Sequence, residues 1–175
     1  MWPFRKSGGD FSARVQAASA VLMGAAEEAA PHLLKALVGE ERSNQNQELL
    51  AQLTSELLIF GLHLTDRIAF GRLGASNRSG FMNALLPAVQ RELQPPVSSQ
   101  LEQLYNIRNT FYGSFCKLYP DKKENLKGTL FWEFGKALGS VYANSNPGAI
   151  MEVSIFGMTF MRCINEAFEK TKVFS

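Results

Sequence analysis

The segment from Glu48 to Leu73, with the sequence ELLAQLTSELLIFGLHLTDRIAFGRL, limits most strongly what this chain can fold into. It contains no proline, and its apolar residues recur at spacings of three and four, which is typical of the buried stripe of an α-helix. These residues are Leu50, Leu53, Leu57, Phe60, Leu64 and Ile68. Residues 57–62 are apolar on nearly every side, which indicates neighbours on most faces of the helix. The sequence therefore predicts a central helix with other helices packed around it.

Helical patterns also precede the central helix. Asp10 is a good N-cap for a first helix, and Pro31 should either kink that helix or restart it. The polar residues 39–47 predict a loop that leads into the central helix. Gly71 and Gly74 predict where the central helix ends.

Four further helices are predicted after these glycines. The third runs from about Arg78 to Leu93, and Pro87 should kink it or divide it into two shorter pieces. The fourth runs from a capping box at Ser99 to about Leu118, the fifth starts at Asp121, and the last covers about Ala149 to Lys172. On the predicted fifth helix, Gly128, Gly135 and Gly139 would let another helix approach the backbone closely.

The sequence as a whole predicts an all-α, single-domain bundle of five to seven helices around the apolar helix at about Glu48–Leu73. A length of 175 residues is enough for one domain with a real core and too short for two. No segment shows the sustained alternation of a β-strand. The domain is expected to cover residues 10–175, after a flexible N-terminal tail formed by residues 1–9.

Composition excludes several classes of protein. A net charge of +2 is too small to indicate a nucleic-acid partner, and no apolar run reaches the roughly 18 residues that a membrane span needs. The N-terminus lacks the apolar region of a signal peptide. Cys116 and Cys163 are the two cysteines, and their apolar neighbours indicate core thiols in a reducing compartment, although a bridge between them stays open. We therefore expect a soluble, cytoplasmic protein.

The central helix carries a set of polar side chains in one narrow sector. At 100° per residue, Glu56, His63 and Arg67 share this sector, and Asp66 lies slightly beyond His63. One interpretation is the wall of a polar pocket, in which His63 acts as an acid, base or ligand while Arg67 holds an anion. The other is a structural network, in which these groups pair with neighbouring helices.

The motifs of metal and cofactor sites are missing. A di-iron bundle needs Glu-x-x-His pairs, and neither His32 nor His63 has a glutamate three residues before it. No phosphate-binding loop, haem motif or activated nucleophile stands out. The sequence therefore predicts neither a metal nor a cofactor.

Tyr105, Tyr112 and Tyr119 recur every seven residues on the predicted fourth helix. Tyrosines at this spacing mark a half-buried boundary, which is either an interface with a partner or the rim of the domain's own core.

Two classes of function follow. The first is a helical binding or assembly module without catalytic activity, which joins a second copy or a protein partner. The second is a small-molecule-binding protein or enzyme, whose apolar pocket is edged by Glu56, His63, Asp66 and Arg67 and takes a small apolar or anionic ligand. The second class requires these four side chains to converge on one cavity.

Overall fold

The computed structural model describes residues 8–43, 46–93, 97–113, 126–142 and 146–174. Within these ranges the chain forms helices and no strand, so the predicted all-α bundle is confirmed. The helices are α1 (Gly8–Val38), α2 (Glu40–Ser43), α3 (Gln47–Glu92), α4 (Val97–Tyr112), α5 (Leu130–Tyr142) and α6 (Pro147–Lys170). Several predictions fall on residues outside these ranges, namely those for residues 1–7 of the tail predicted at residues 1–9, Cys116, Tyr119 and the helix start at Asp121. Helix α1 begins at Gly8, two residues before the predicted N-cap Asp10.

Helix α3 lies at the centre of the bundle, as its apolar pattern predicts. It contacts α1, α4 and α6. Phe60 is fully buried and its ring packs on aromatic rings from three other helices: Tyr112 of α4, Phe131 and Phe134 of α5, and Phe160 of α6. The closest of these contacts is a parallel stack on Phe134, with ring centroids 3.9 Å apart. The core therefore forms around the middle of α3.

Helix α3 is interrupted at Gly74, close to the predicted end of the central helix. Gly74 has φ 73° and ψ 168°, a conformation that residues with a side chain rarely adopt. The break separates a first segment, residues 47–73, from a second segment, residues 75–92. The second segment buries Phe81, Leu85 and Val89.

Both prolines that were expected to disturb helices lie inside continuous ones. Helix α1 runs through Pro31, and the second segment of α3 runs through Pro87. A restart at Pro31 is therefore wrong. Both prolines are exposed, so water can hydrate the backbone carbonyl that loses its N–H donor.

The start of α5 also differs from the prediction. The helix begins at Leu130, after a turn that contains Gly128 at φ 79°. Thr129 caps it, because its hydroxyl accepts a hydrogen bond from the Trp132 backbone N–H at 3.3 Å. Gly128 therefore serves the turn and not a helix contact, which corrects its predicted role.

Helices α5 and α6 pack at close range through the other two predicted glycines. A Cβ atom at Gly135 would overlap the Ser154 side chain and the Ile150 carbonyl, and one at Gly139 would lie 2.7 Å from Ile150 Cγ1. Both glycines are buried. This contact therefore depends on the absence of side chains at the two positions.

Candidate functional site

Glu56 joins α3 to α4 through an ion pair with Arg108. The Arg108 guanidinium donates to both carboxylate oxygens, with Nε to Oε2 at 3.0 Å and Nη2 to Oε1. The two side chains are only 16% and 19% exposed, so water screens the pair less than it screens a surface pair. A bidentate pair of this kind fixes the rotation of α4 against α3 as well as contributing energy.

Asp66 links the two segments of α3 across the break at Gly74. Arg78 of the second segment donates from Nε to Asp66 Oδ1 at 2.6 Å and from Nη2 to Oδ2. Arg67 reaches the same carboxylate at a longer distance, 3.7 Å from Nη1 to Oδ2. The carboxylate is 9% exposed and faces two guanidinium groups, which leaves a net positive charge at this point.

Arg67 holds the C-terminal end of α4. Its Nη2 donates to the Tyr112 backbone carbonyl at 2.7 Å, and its Nη1 donates to the His63 carbonyl at 3.3 Å. The last carbonyls of a helix have no partner within the helix, and a cation there also interacts favourably with the helix dipole. Arg67 is therefore a cap for α4 that is supplied by α3.

His63 is fully buried between the tyrosine rings of α4. It stacks on Tyr105 with ring centroids 4.3 Å apart and meets Tyr112 edge-on at 5.1 Å. Neither ring nitrogen reaches a partner at hydrogen-bonding geometry among the described residues.

The surroundings of His63 lower its pKa from 6.5 to about 4. Burial is the main cause, because it disfavours the charged imidazolium, and the nearby charge of Arg67 adds to the effect. The Tyr105 backbone and the Asp66 carboxylate act in the opposite direction. His63 is therefore a neutral ring at neutral pH, packed as an aromatic residue would be.

The predicted tyrosine interface faces inward at both of its described positions. Tyr112 is fully buried against Phe60 and His63, and Tyr105 is half-buried against His63. Burial raises the pKa of both phenols, and the effect is larger at Tyr112. Their seven-residue spacing places them on one face of α4, and that face packs on α3. The alternative interpretation, packing within the domain's own core, therefore applies to Tyr112. Tyr119 lies outside the described residues.

Two of the four predicted pocket residues, Asp66 and Arg67, border different cavities in the described part of the chain. Asp66 borders a cavity of about 390 Å³ with Arg78 and Tyr105, whereas Arg67 borders a different one of about 670 Å³. Glu56 and His63 lie within the α3–α4 contact. A solute from solvent could reach the His63 ring only after α4 moved away. The arrangement is therefore suited to holding α4 in place.

A larger groove lies between α3 and α6, and it was not predicted from the sequence. Its volume is about 670 Å³, and it is lined by Arg67, Ile68, Gly71 and Arg72 of α3 and by Ile155, Met158, Thr159, Met161, Arg162 and Asn165 of α6. We name it the arginine groove. The spacing of Arg67 and Arg72 on one helix is visible in the sequence, but the contribution of Arg162 depends on how α6 packs.

A second groove of about 460 Å³ lies where α4, α5 and α6 meet. It is lined by Arg108, Phe111, Glu133, Lys136, Ala137, Ser140, Val141 and Ile150. We name it the α4–α5 groove. Phe111 is 54% exposed and Val141 is 61% exposed, so two large apolar side chains face solvent in one place.

Cys163 is exposed, which corrects the prediction of a core thiol. It borders a third groove between α1 and α6, of about 450 Å³, together with His32 and Glu28.

Within the described ranges, no group of three or more His, Cys, Asp or Glu side chains is placed to hold a metal ion. In the same part of the chain, no helix combines the length and apolar character required to cross a bilayer.

Comparison of the chain with protein-family models, with curated proteins and with solved structures gives no match. Function is therefore inferred from the geometry alone.

Proposed function

We propose that the protein is a helical binding and assembly module that pairs with a second copy of itself through the α4–α5 groove. The exposure of Phe111 and Val141 in one groove supports this proposal most directly. Burying an exposed phenylalanine at an interface contributes about 1.5–3 kcal/mol, and a pair of identical surfaces buries two copies of each side chain. A cytoplasmic location belongs to the same proposal and rests on composition alone.

The charges around the α4–α5 groove favour a second copy as the partner. Lys136 and Glu133 lie on its edge and pair with each other at 2.7 Å. In an interface with two-fold symmetry, the same surface of both copies takes part, in opposite orientations. A surface that carries both a positive and a negative charge can therefore place each charge opposite the opposite charge of the second copy. Arg108 adds a residue type that is enriched in interfaces.

The proposal assigns a structural role to the polar set of α3. Glu56, Asp66 and Arg67 each contact a group of another helix or of the other segment of α3. The contacts of Glu56 and Arg67 hold α4 in a fixed position, and α4 carries Phe111. The polar set therefore supports the assembly surface without being part of it.

The test is the mass of the protein in solution over a range of micromolar concentrations, by light scattering coupled to gel filtration. The double variant Phe111→Ser/Val141→Ser should weaken the dimer by at least about 30-fold. Ile107→Ser is the matched control, because Ile107 is also an exposed apolar residue of α4 but lines a different surface. It should remain dimeric, and all proteins should melt at similar temperatures.

Two results would contradict the proposal. One is a wild-type protein that stays monomeric at every concentration. The other is a control variant that dissociates as readily as the double variant, since the dimer would then depend on a different face of α4.

A further inference from the structure

The arginine groove is lined by three arginines and by several apolar side chains. Arg67 and Arg72 come from α3 and Arg162 comes from α6. Among the described residues that line the groove, none is acidic. The groove therefore offers positive charge together with apolar surface.

The apolar part of the groove lies between the two helices. Met161 is buried, Ile68 and Met158 are half-buried, and Ile155 is 52% exposed. Methionine side chains are flexible and adapt to ligands of different shape. A volume of about 670 Å³ lies within the usual range for sites that bind small molecules, about 300–1,000 Å³.

We propose that the arginine groove binds a medium-chain fatty acid, with the carboxylate at the arginines and the alkyl chain along Ile68, Met158 and Ile155. The groove shares no residue with the α4–α5 groove, so this site is independent of the proposed assembly. A single carboxylate matches the fork of a guanidinium, which donates two parallel hydrogen bonds to it.

The present partners of the arginines leave them able to bind a carboxylate. Arg72 pairs with Glu169, and Arg162 lies 4.0 Å from Glu166, but the side chains of both pairs are 50–71% exposed. Exposed pairs of this kind contribute little, so exchange for a ligand carboxylate is cheap.

Arg67 differs from the other two arginines because it is fixed. Its side chain is 14% exposed and its two terminal nitrogens donate to backbone carbonyls. Its charge adds positive potential to the groove that it lines. A ligand carboxylate is therefore drawn to a preformed charge.

The test is isothermal titration with decanoate below its micellar concentration. Decanoate should bind, and decan-1-ol, which has the same chain without the charge, should bind at least about tenfold more weakly. Octanoate, two methylene groups shorter, should bind up to about tenfold more weakly than decanoate if the chain is buried.

Variants locate the site. Arg72→Gln/Arg162→Gln should weaken decanoate binding by about tenfold or more, because exposed arginines can be replaced without unfolding. Ile155→Asp should weaken it similarly by placing a negative charge beside the alkyl chain. Arg91→Gln, an exposed arginine of α3 that does not line the groove, is the control and should leave the affinity unchanged.

Three outcomes would overturn the proposal. They are the absence of decanoate binding, equal binding of decanoate and decan-1-ol, and equal loss of affinity in Arg91→Gln and the groove variant. An anionic phospholipid in a membrane also joins a negative charge to an alkyl chain. Flotation with phosphatidylglycerol vesicles distinguishes binding to such a membrane from binding to a free fatty acid. Binding to vesicles without binding to free decanoate would assign the groove to a lipid surface and would also overturn the proposal.

Discussion

The contacts of α3 with α4 and of α5 with α6 hold the same bundle together by different physical means. The α5–α6 contact depends on two glycines that let the backbones approach, with Ile150 and Ser154 packed against them. The α3–α4 contact depends on an ion pair, on an arginine that caps α4 and on a buried histidine ring between tyrosines. The first is steric and insensitive to pH or salt, whereas the second should respond to both.

This difference indicates which part of the protein can move without loss of the fold. A contact between close-packed helices fails when volume is added, and its loss exposes the core. A contact made of charged and aromatic groups weakens gradually as the charges are altered. Helix α4 is therefore the element whose position on the bundle is most easily changed, and it carries Phe111 of the proposed assembly surface.

The largest expected effect is the response of the α3–α4 contact to acid. The folded protein holds the pKa of His63 at about 4, below the 6.5 of an ordinary histidine, so the unfolded chain takes up the proton first as the pH falls. The contribution of the neutral His63 ring to the free energy of unfolding is fully present above the unfolded pKa of 6.5. This contribution is lost as the pH falls toward the folded pKa of about 4. Lowering the pH from about 7 to about 4.5 should reduce the free energy of unfolding by about 2.4 kcal/mol.

Urea unfolding followed by circular dichroism at the two pH values measures this effect. His63→Phe is the control, because it keeps an aromatic ring against Tyr105 and removes the titration. Parallel loss of stability in the wild type and in His63→Phe would show that the acid sensitivity does not come from His63.

The next effect concerns the α5–α6 contact. Gly135→Ala should lower the free energy of unfolding by about 1–3 kcal/mol, because the new Cβ overlaps the Ile150 carbonyl. Gly24→Ala is the matched control, since Gly24 is also helical and a Cβ there meets nothing within 4 Å. It should raise the same free energy by about 0.5–1 kcal/mol. Equal changes in both variants would contradict the close contact.

A smaller effect is expected when the charge of one ion pair is removed. Glu56→Gln should lower the free energy of unfolding by about 1–2 kcal/mol, because Arg108 loses its charged partner while staying half-buried. The loss should shrink in high salt. Glu27→Gln, at an exposed position of α1, should change the stability by less than about 0.5 kcal/mol. A loss that is independent of salt would indicate a packing effect.

The smallest effect is expected at Tyr112. Its hydroxyl is buried and has no hydrogen-bond partner among the described residues. Tyr112→Phe therefore removes a polar atom whose loss of hydration is not offset by a hydrogen bond. The free energy of unfolding should change by about 0–0.5 kcal/mol, upward if at all. A loss of more than about 1 kcal/mol would show that the hydroxyl has a partner. Thermal melting of the two proteins in the same buffer measures the difference.

Much of the fold follows from local patterns in the sequence. The central helix, the break near Gly74 and the close approach at Gly135 and Gly139 are predicted from spacing and residue type. Gly128 is the exception, because a glycine that serves a turn looks the same in a sequence as one that serves a helix contact.

The partners of the polar set could not be predicted. The spacing of Glu56, His63, Asp66 and Arg67 places them in one sector of α3, and they lie where α4 and the second segment of α3 pack. Their partners, Arg108, Arg78 and the Tyr112 carbonyl, lie on other segments, and the break at Gly74 decides which of them come within reach. The arginine groove was not predicted for the same reason, because Arg162 joins Arg67 and Arg72 only when α6 packs on α3.

The central claim is that a pH-sensitive polar contact holds α4 on a sterically locked bundle. Amide hydrogen exchange at about pH 7 and about pH 5, corrected for intrinsic rates, tests it most directly. We predict that protection within residues 101–112 of α4 falls by about tenfold or more at the lower pH, while the core of α5 and α6 changes much less. An equal loss of protection in α4, α5 and α6 would contradict the claim, because the bundle would then open as a single unit.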